Sequence, residues 1–361
     1  MTAIDRRTAL AGLGTTVALA AAPALAQGQA FVPARDPRLT IEGRTAFGPD
    51  GALRIGYPGV ALHFIADAPH VTMRARATTP DVWIDISVDG GAPRVVHLAQ
   101  GAQDIPLSAT PGRHRYMILK RTESWQGILE VEGFGGVARI ALVALPSRRL
   151  MFIGDSITCG ASADVTRDDP GSGTETNDGA KSFGRVLAAK LNAQCHLVSY
   201  GGRGVYRDWQ GIEAIVNAPT FYERALADDP HALWDPRRSV PHAIGICLGT
   251  NDFNQGVPDQ KLFTNAYVEF IDKIRRDAPA AHIFVIDSPM TIDSDELGHR
   301  RTIQHDYIDQ VVRRLDTPLV TRAPIAHYPG RKSNSHPIAE EHIAIAAELE
   351  PHFRAATGWV G

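Results

Sequence analysis

The feature that most constrains this chain is a change of hydrophobic period near residue 147. Upstream of it, apolar and polar residues alternate with period two. Val71, Met73, Ala75 and Ala77 are separated by Thr72, Arg74 and Arg76. Val82, Ile84, Ile86 and Val88 are separated by Trp83, Asp85 and Ser87. Successive side chains of a strand point to opposite faces, so this pattern specifies half-buried antiparallel strands. Asp89-Gly90-Gly91 supplies a hairpin turn after the second run. Further strand-like runs fall at 94–98, 116–120, 128–132 and 139–144, with Pro and Gly between them. Short strands without a helical pattern predict an all-β sandwich or jelly roll over residues 38–146.

Downstream, short apolar runs alternate with helical spacing. The runs are 150–153, 196–200, 243–248 and 282–286. Between and after them come Phe183, Val186, Leu187 and Leu191, then Phe263, Tyr267, Phe270, Ile271 and Ile274, then Ile308, Val311, Val312 and Leu315. A last helix is expected from Pro337, a favoured first-turn proline, through Ile338, His342, Ile345, Leu349 and Phe353. Strand–helix alternation predicts a parallel sheet covered on both faces, an α/β domain over 147–361. Pro146-Ser147-Arg148-Arg149 is the expected seam between the two domains.

Residues 1–26 read as an export signal. Arg6-Arg7 precede a weakly hydrophobic Ala- and Gly-rich stretch, and Ala24-Leu25-Ala26 fits a small-residue cleavage site. The arginine pair within Asp5-Arg6-Arg7-Thr8-Ala9-Leu10 resembles a bacterial twin-arginine signal. The apolar stretch is shorter than the ~20 residues a membrane span needs. The expected location is therefore the periplasm or the outside of the cell, with no membrane association after signal removal. Residues 27–37 are expected to be a linker. The net charge is -3, and no basic run is present to attract nucleic acid or an anionic membrane. Cys159, Cys195 and Cys247 are odd in number and widely spaced, which is no disulfide framework. They are expected to be buried thiols acting as small hydrophobes.

Four blocks in the second domain carry chemistry. Gly154-Asp155-Ser156 ends the first apolar run, and Tyr200-Gly201-Gly202-Arg203-Gly204 follows the second. Gly249-Thr250-Asn251-Asp252 follows the third, and Ser335-His336-Pro337 opens the last helix. The first three blocks lie at carboxyl ends of strands of one parallel sheet, where ligands of open α/β sheets bind. Serine is a weak nucleophile until a base takes its proton, and histidine titrates near neutrality. Acyl transfer also needs donors aimed at the oxygen that becomes negative. A backbone N–H from the glycine block can serve, Gly201 and Gly204 competing with Gly202 for the role. The Asn251 amide and the Ser156 N–H are further donors. Asp155 and Asp252 read as structural. Trp209, Tyr206 and Trp125 are candidate flat faces for a sugar ring. His336, Glu340, Glu341 and His342 fit no zinc motif, so no metal and no cofactor is expected.

This block order resembles that of the SGNH, or GDSL, hydrolases. The likeness extends over most of the mature chain. Ile41-Glu42-Gly43-Arg44, Tyr57-Pro58-Gly59-Val60 and Leu119-Lys120-Arg121-Thr122-Glu123 are similar to the amino-terminal half of carbohydrate esterase family 2. So is Gly202-Arg203-Gly204-Val205-Tyr206-Arg207-Asp208-Trp209, followed by Tyr222-Glu223-Arg224. The resemblance implies a jelly roll fused to a flavodoxin-like SGNH domain that removes acetyl groups from plant polysaccharides. It implies Ser156 as nucleophile, His336 as base, and Gly202 and Asn251 as oxyanion donors. An acetylated oligo- or polysaccharide is then the expected partner.

One departure stands out. SGNH enzymes often carry an Asp three residues before the histidine, and here that residue is Ser333. Some family members work as a Ser-His dyad, so a main-chain carbonyl near Ser333 or Asn334 is the expected orienter of His336. A distant Asp is the alternative. Other functions compatible with these residues are an esterase or thioesterase on other acyl esters, a sugar O-acyltransferase, and an inactive carbohydrate-binding protein.

Overall fold

The computed structural model describes residues 30–108, 110–165, 173–213, 216–331 and 335–359. The expected export signal lies outside the described residues.

The amino-terminal part folds as two antiparallel six-stranded sheets. One runs Ala46–Phe47, Leu53–Ile55, Leu129–Gly135, Thr72–Ala77, Gly101–Pro106. The other runs Ile140–Ala141, Ala61–Ala68, Gly112–Lys120, Val82–Val88, Arg94–Leu98. Thr40–Glu42 adds to the second at Ala61–Ala68. The alternation read from sequence sets the core: Met73, Ala75 and Ala77 face inward with Ile84 and Ile86. Phe64 of one sheet meets Phe134 of the other at 4.3 Å between ring centroids. The hairpin turn at Asp89-Gly90 has positive φ at both residues, as a tight right-twisted hairpin requires.

Two expectations about this part are corrected. Residues 31–33 are not linker: Phe31–Pro33 pairs with Leu129–Gly135 as an edge strand. Asp85, on the polar face of its strand, is buried and not solvated. It is buried because it forms an ion pair with Arg121 at 2.8 Å, and Arg121 reaches on to Asp178 of the second domain at 3.1 Å.

The second part is a five-stranded, all-parallel sheet. Its spatial order is Ala193–Ser199, Arg148–Gly154, Ala243–Cys247, His282–Ile286, Val320–Ala323. In chain order this is 2-1-3-4-5, the flavodoxin-like arrangement, whose strand order reverses beside the first strand. Helices Phe183–Lys190 and Ala339–Thr357 cover one face. Gln260–Asp277 and Arg300–Leu315 cover the other. The fifth strand was not foreseen, because Val-Thr-Arg-Ala has no apolar run and pairs on one side only. The last helix begins at Ala339, two residues later than expected. Ile338 is its cap, and the Glu341 carboxylate accepts the Ile338 N–H at 3.0 Å.

The domains share one continuous apolar core, with Tyr57 and Val60 of the first joined to Met151, Val198 and Tyr200 of the second. Buried polar links fix their register. The Glu42 carboxylate accepts the Cys195 N–H at 2.7 Å and pairs with Arg185 at 3.1 Å. Burial alone would raise Glu42, but Arg185, His63 and the Cys195 N–H outweigh it and hold the carboxyl at about 2. Ser124 Oγ donates to Ser199 O at 2.8 Å, and the Gly179 N–H to Arg121 O at 2.9 Å. Residues 120–126 of the β-domain thereby meet the end of strand Ala193–Ser199 and the turn at Gly179.

Candidate active site

Strand Arg148–Gly154 runs straight into the short helix Ser156–Cys159. Asp155 is its N-cap: Oδ1 accepts the Ile157 N–H at 3.0 Å. Ile157 and Cys159 anchor the turn in the core, which leaves Ser156 at the first helical position, partly exposed. Its Oγ lies 2.8 Å from His336 Nε2. Burial pushes His336 below the ordinary histidine value, so the ring is a neutral acceptor near pH 7. Residues 332–334, with the expected orienting carbonyl, lie outside the described residues.

The glycine block follows strand Ala193–Ser199. Gly202 has φ +76°, a conformation that other residues adopt only with strain, and a Cβ there would meet Trp209 Cδ1 at 2.8 Å. The loop turns back on itself, with the Trp209 N–H donating to Gly202 O at 3.0 Å. Asp252 holds the turn, accepting the N–H groups of Val205, Tyr206 and Arg207 at 2.8 to 3.1 Å. Asp252 is fully buried and structural, as read from sequence. Asn251, one residue earlier, lines the catalytic cavity. Its Nδ2 already has two acceptors, Arg203 O at 2.9 Å and Asp155 Oδ2 at 3.2 Å. A bound oxyanion would share an N–H with one of them.

Ser156, His336, Gly202 and Asn251 open on one cavity of about 350 Å³. The four sequence-predicted residues thus meet at the reversal point of the sheet, from four separate stretches of chain.

A family model described as the GDSL-like lipase/acylhydrolase family matches residues 152–341. The chain belongs to this family. A second model, carbohydrate esterase 2 N-terminal, matches residues 41–146. An acetylxylan esterase / glucomannan deacetylase of Cellvibrio japonicus is 32% identical over 334 residues, covering 91% of each chain. The structure of a family two carbohydrate esterase from Cellvibrio japonicus has a TM-score of 0.86 at 31% identity, covering 92% of this chain and 98% of that one. A carbohydrate esterase family 2 enzyme of Corynascus thermopiles, carrying a carbohydrate binding domain, has a TM-score of 0.78 at 27% identity, covering 89% and 100%. The protein is a carboxylic ester hydrolase.

The walls of the hydrolase cavity come from both domains. Trp125 of the β-domain and Trp209 of the α/β domain stand in it, each about half exposed. Tyr206, the third aromatic candidate, is not part of it. Its hydroxyl donates to Glu213 Oε1 and its N–H to Asp252, so it serves the loop and not the cavity. Sequence reading missed Glu123 and Met290, both of which line the cavity. Met290 carried no signal. Glu123 lay within Leu119-Lys120-Arg121-Thr122-Glu123, a stretch noted for its likeness to the family without any reading of its chemistry.

Burial shifts the remaining titratable neighbours of this GDSL-like site toward their neutral forms. Burial raises Asp155 to about 7 against the Ile157 N–H and Thr250 bonds that favour its ionised form. His342 is fully buried, its Nδ1 accepting the Phe183 N–H at 3.2 Å, and burial drives it down to about 3. All three cysteines are buried and free.

Proposed function

We propose that this hydrolase removes acetyl groups from acetylated xylan, mannan or a related glycan through an acyl-enzyme. The observation that carries the reading is the 2.8 Å approach of Ser156 Oγ to His336 Nε2 at the carboxyl end of the sheet. His336 takes the serine proton as Oγ attacks the acetyl carbonyl. The carbonyl oxygen becomes negative and is met by the N–H groups of Ser156 and Gly202 and by the Asn251 amide. His336 then gives its proton to the departing sugar oxygen. Water, deprotonated by the same ring, attacks the acyl-enzyme and releases acetate.

The saccharide class is supported by the Cellvibrio japonicus relative, an acetylxylan esterase / glucomannan deacetylase. It is also supported by the two half-exposed indoles, flat apolar faces of the kind that cover a pyranose ring. A second hollow of about 360 Å³ shares Trp125, Gly201, Gly202 and Trp209 with the catalytic cavity and adds Arg203 and Asp208. Such a continuation suits a chain longer than one sugar. Arg6-Arg7 and Ala24-Leu25-Ala26 support export of the mature enzyme by the twin-arginine route to the periplasm or beyond.

The test is acetate release from a panel of acetylated xylan, glucomannan and long-chain acyl esters, with Ser156→Ala as the control. Acetylated glycan should be turned over best. Ser156→Ala should lose at least about 10⁴-fold in kcat, as loss of an activated nucleophile does. Preference for long acyl chains, or a folded Ser156→Ala that keeps its rate, overturns the reading.

A further inference from the structure

Behind the glycine loop sits a carboxyl that the hydrolytic scheme leaves unused. Glu123 comes from the β-domain, three residues after strand Gly112–Lys120. It is only 4% exposed, yet it lines the same cavity as Ser156 and His336. Its Oε2 lies so near Gly201 that a Cβ on that glycine would stand 2.0 Å from it. Trp125 Nε1 would be 3.2 Å from the same point. A side chain at position 201 would have to displace the Glu123 carboxyl, and Glu123, Gly201 and Trp125 form one packed contact.

Among the described residues no hydrogen bond of ordinary geometry ends on Oε2. The neighbouring cation, Lys120, donates to Thr122 O at 2.6 Å and to the Glu123 main-chain carbonyl at 3.0 Å, not to the carboxyl. The Glu123 main chain is fixed independently, its N–H donating to Gln126 Oε1 at 2.7 Å. A carboxyl this buried is costly to ionise, so burial favours the neutral acid.

We propose that Glu123 is a positioning residue for ester hydrolysis: as the neutral acid it holds the Gly201-Gly202 backbone and the Trp125 ring beside Ser156, and on ionising it opposes the reaction. The inference rests on the serine-esterase reading. Burial pushes the Glu123 carboxyl up to about 7; the Cys159 thiol, the Trp125 indole, Lys120 and the Gly201 N–H favour ionisation by less. The groups facing it are themselves drawn toward neutrality. Burial lowers Lys120 to about 7, raises Asp155 to about 7, and pushes the Cys159 thiol well up. His336, pushed down by burial, shares the cavity.

The sign of the effect follows. Above neutrality Glu123 loses its proton to solvent and leaves a negative charge against Gly201. The ester carbonyl oxygen becomes negative one residue away, at Gly202. Like charges raise the barrier, so the rate falls as pH rises through the Glu123 transition. On the acid side the rate falls when His336 takes a proton, below the ordinary histidine range. Asp155 titrates in the same range as Glu123, so the alkaline limb belongs to the pair.

The experiment is the pH–rate profile of p-nitrophenyl acetate hydrolysis by the full-length enzyme, Glu123→Gln and Glu123→Ala. At pH 6, Glu123→Ala should lose about tenfold in kcat/KM, and Glu123→Gln, which keeps the shape of the neutral acid, should recover most of that. The alkaline limb of Glu123→Gln should move up by about one pH unit. Absence of rescue by Gln, or an alkaline limb that coincides with the wild-type one, overturns the proposal. A second measurement needs no variant. With glutamate labelled at the carboxyl carbon, one carbon-13 signal of the wild-type protein should titrate near neutrality, and its absence overturns the proposal. Wild-type hydrolysis that survives Ser156→Ala would instead break the esterase reading, leaving the carbon-13 result to stand by itself.

Discussion

The seam between the domains and the catalytic cavity bury acids differently. At the seam each buried carboxylate has a base beside it: Glu42 pairs with Arg185, and Asp85, Asp164 and Asp178 pair with Arg121. Arg185, His63 and the Cys195 N–H hold Glu42 at about 2, and Arg121 works against the burial that raises Asp85 and takes Asp178 to about 6. At the catalytic cavity burial drives Glu123 and Asp155 further, to about 7, and His336 down. The seam is a place to hold, where opposite charges fix one register. The cavity is a place to react, where developing charge must meet oriented N–H groups and not fixed carboxylates. A fold that fuses the two lets the β-domain supply a rigid wall, Glu123 and Trp125, without supplying chemistry.

The widest way to break this contrast is at the seam. Arg121 is 2% exposed and the common partner of three carboxylates, two of them equally buried. Arg121→Met should destabilise the protein by about 3–5 kcal/mol, because it strips Asp85 and Asp178 of their close guanidinium partner and leaves Asp178 with Lys181 at 3.8 Å. Urea unfolding followed by tryptophan fluorescence measures it. A loss below about 1 kcal/mol would mean that the seam is held by apolar packing alone.

The second break is inside the cavity. Asn251→Ala should lower kcat on acetyl esters by about 10²-fold with a smaller change in KM, the cost of one oxyanion donor. Arg203 O and Asp155 Oδ2 compete for the same amide nitrogen, so steady-state kinetics decides between the two roles. A fall of less than about fivefold would leave the Ser156 and Gly202 N–H groups as the oxyanion donors.

The contrast also explains what could be read from sequence. Catalytic blocks were legible because sheet topology puts each one at a strand end: Gly154-Asp155-Ser156, Gly201-Gly202 and Asn251 all follow apolar runs. The β-domain was legible as alternation. What escaped was whatever depends on docking. Asp85 sits on the polar face of a strand, and only the second domain's Asp178 beside Arg121 explains its burial. Glu123 stood in a stretch noted only for its likeness to the family, and nothing local says that Gly201 packs on it. Tyr206 failed for the opposite reason. An aromatic two residues after a glycine block looks like a sugar platform, but the Asp252 clamp turns it out of the cavity. The strand Val320–Ala323 escaped because an edge strand with polar residues has no periodic signature.

The smallest expected effect gives the sharpest comparison, since Trp125 and Trp209 face one cavity from different domains at nearly equal exposure, 52% and 51%. Trp125 approaches the catalytic loop at Gly201. Trp209 is part of that loop: its N–H is bonded to Gly202 O, and its ring occupies the space a Cβ of Gly202 would need. If both indoles cover sugar rings, both alanine variants should raise KM for acetylated xylo-oligosaccharide by about tenfold, the effect of losing about 1.4 kcal/mol of ring contact. They should part on p-nitrophenyl acetate, which has no sugar to cover. There Trp209→Ala should also lower kcat, because Gly202 loses its support, while Trp125→Ala should change kcat by less than it changes KM for the saccharide. Equal losses of kcat on the small ester would mean that the β-domain wall shapes the oxyanion loop as strongly as the loop's own residues do.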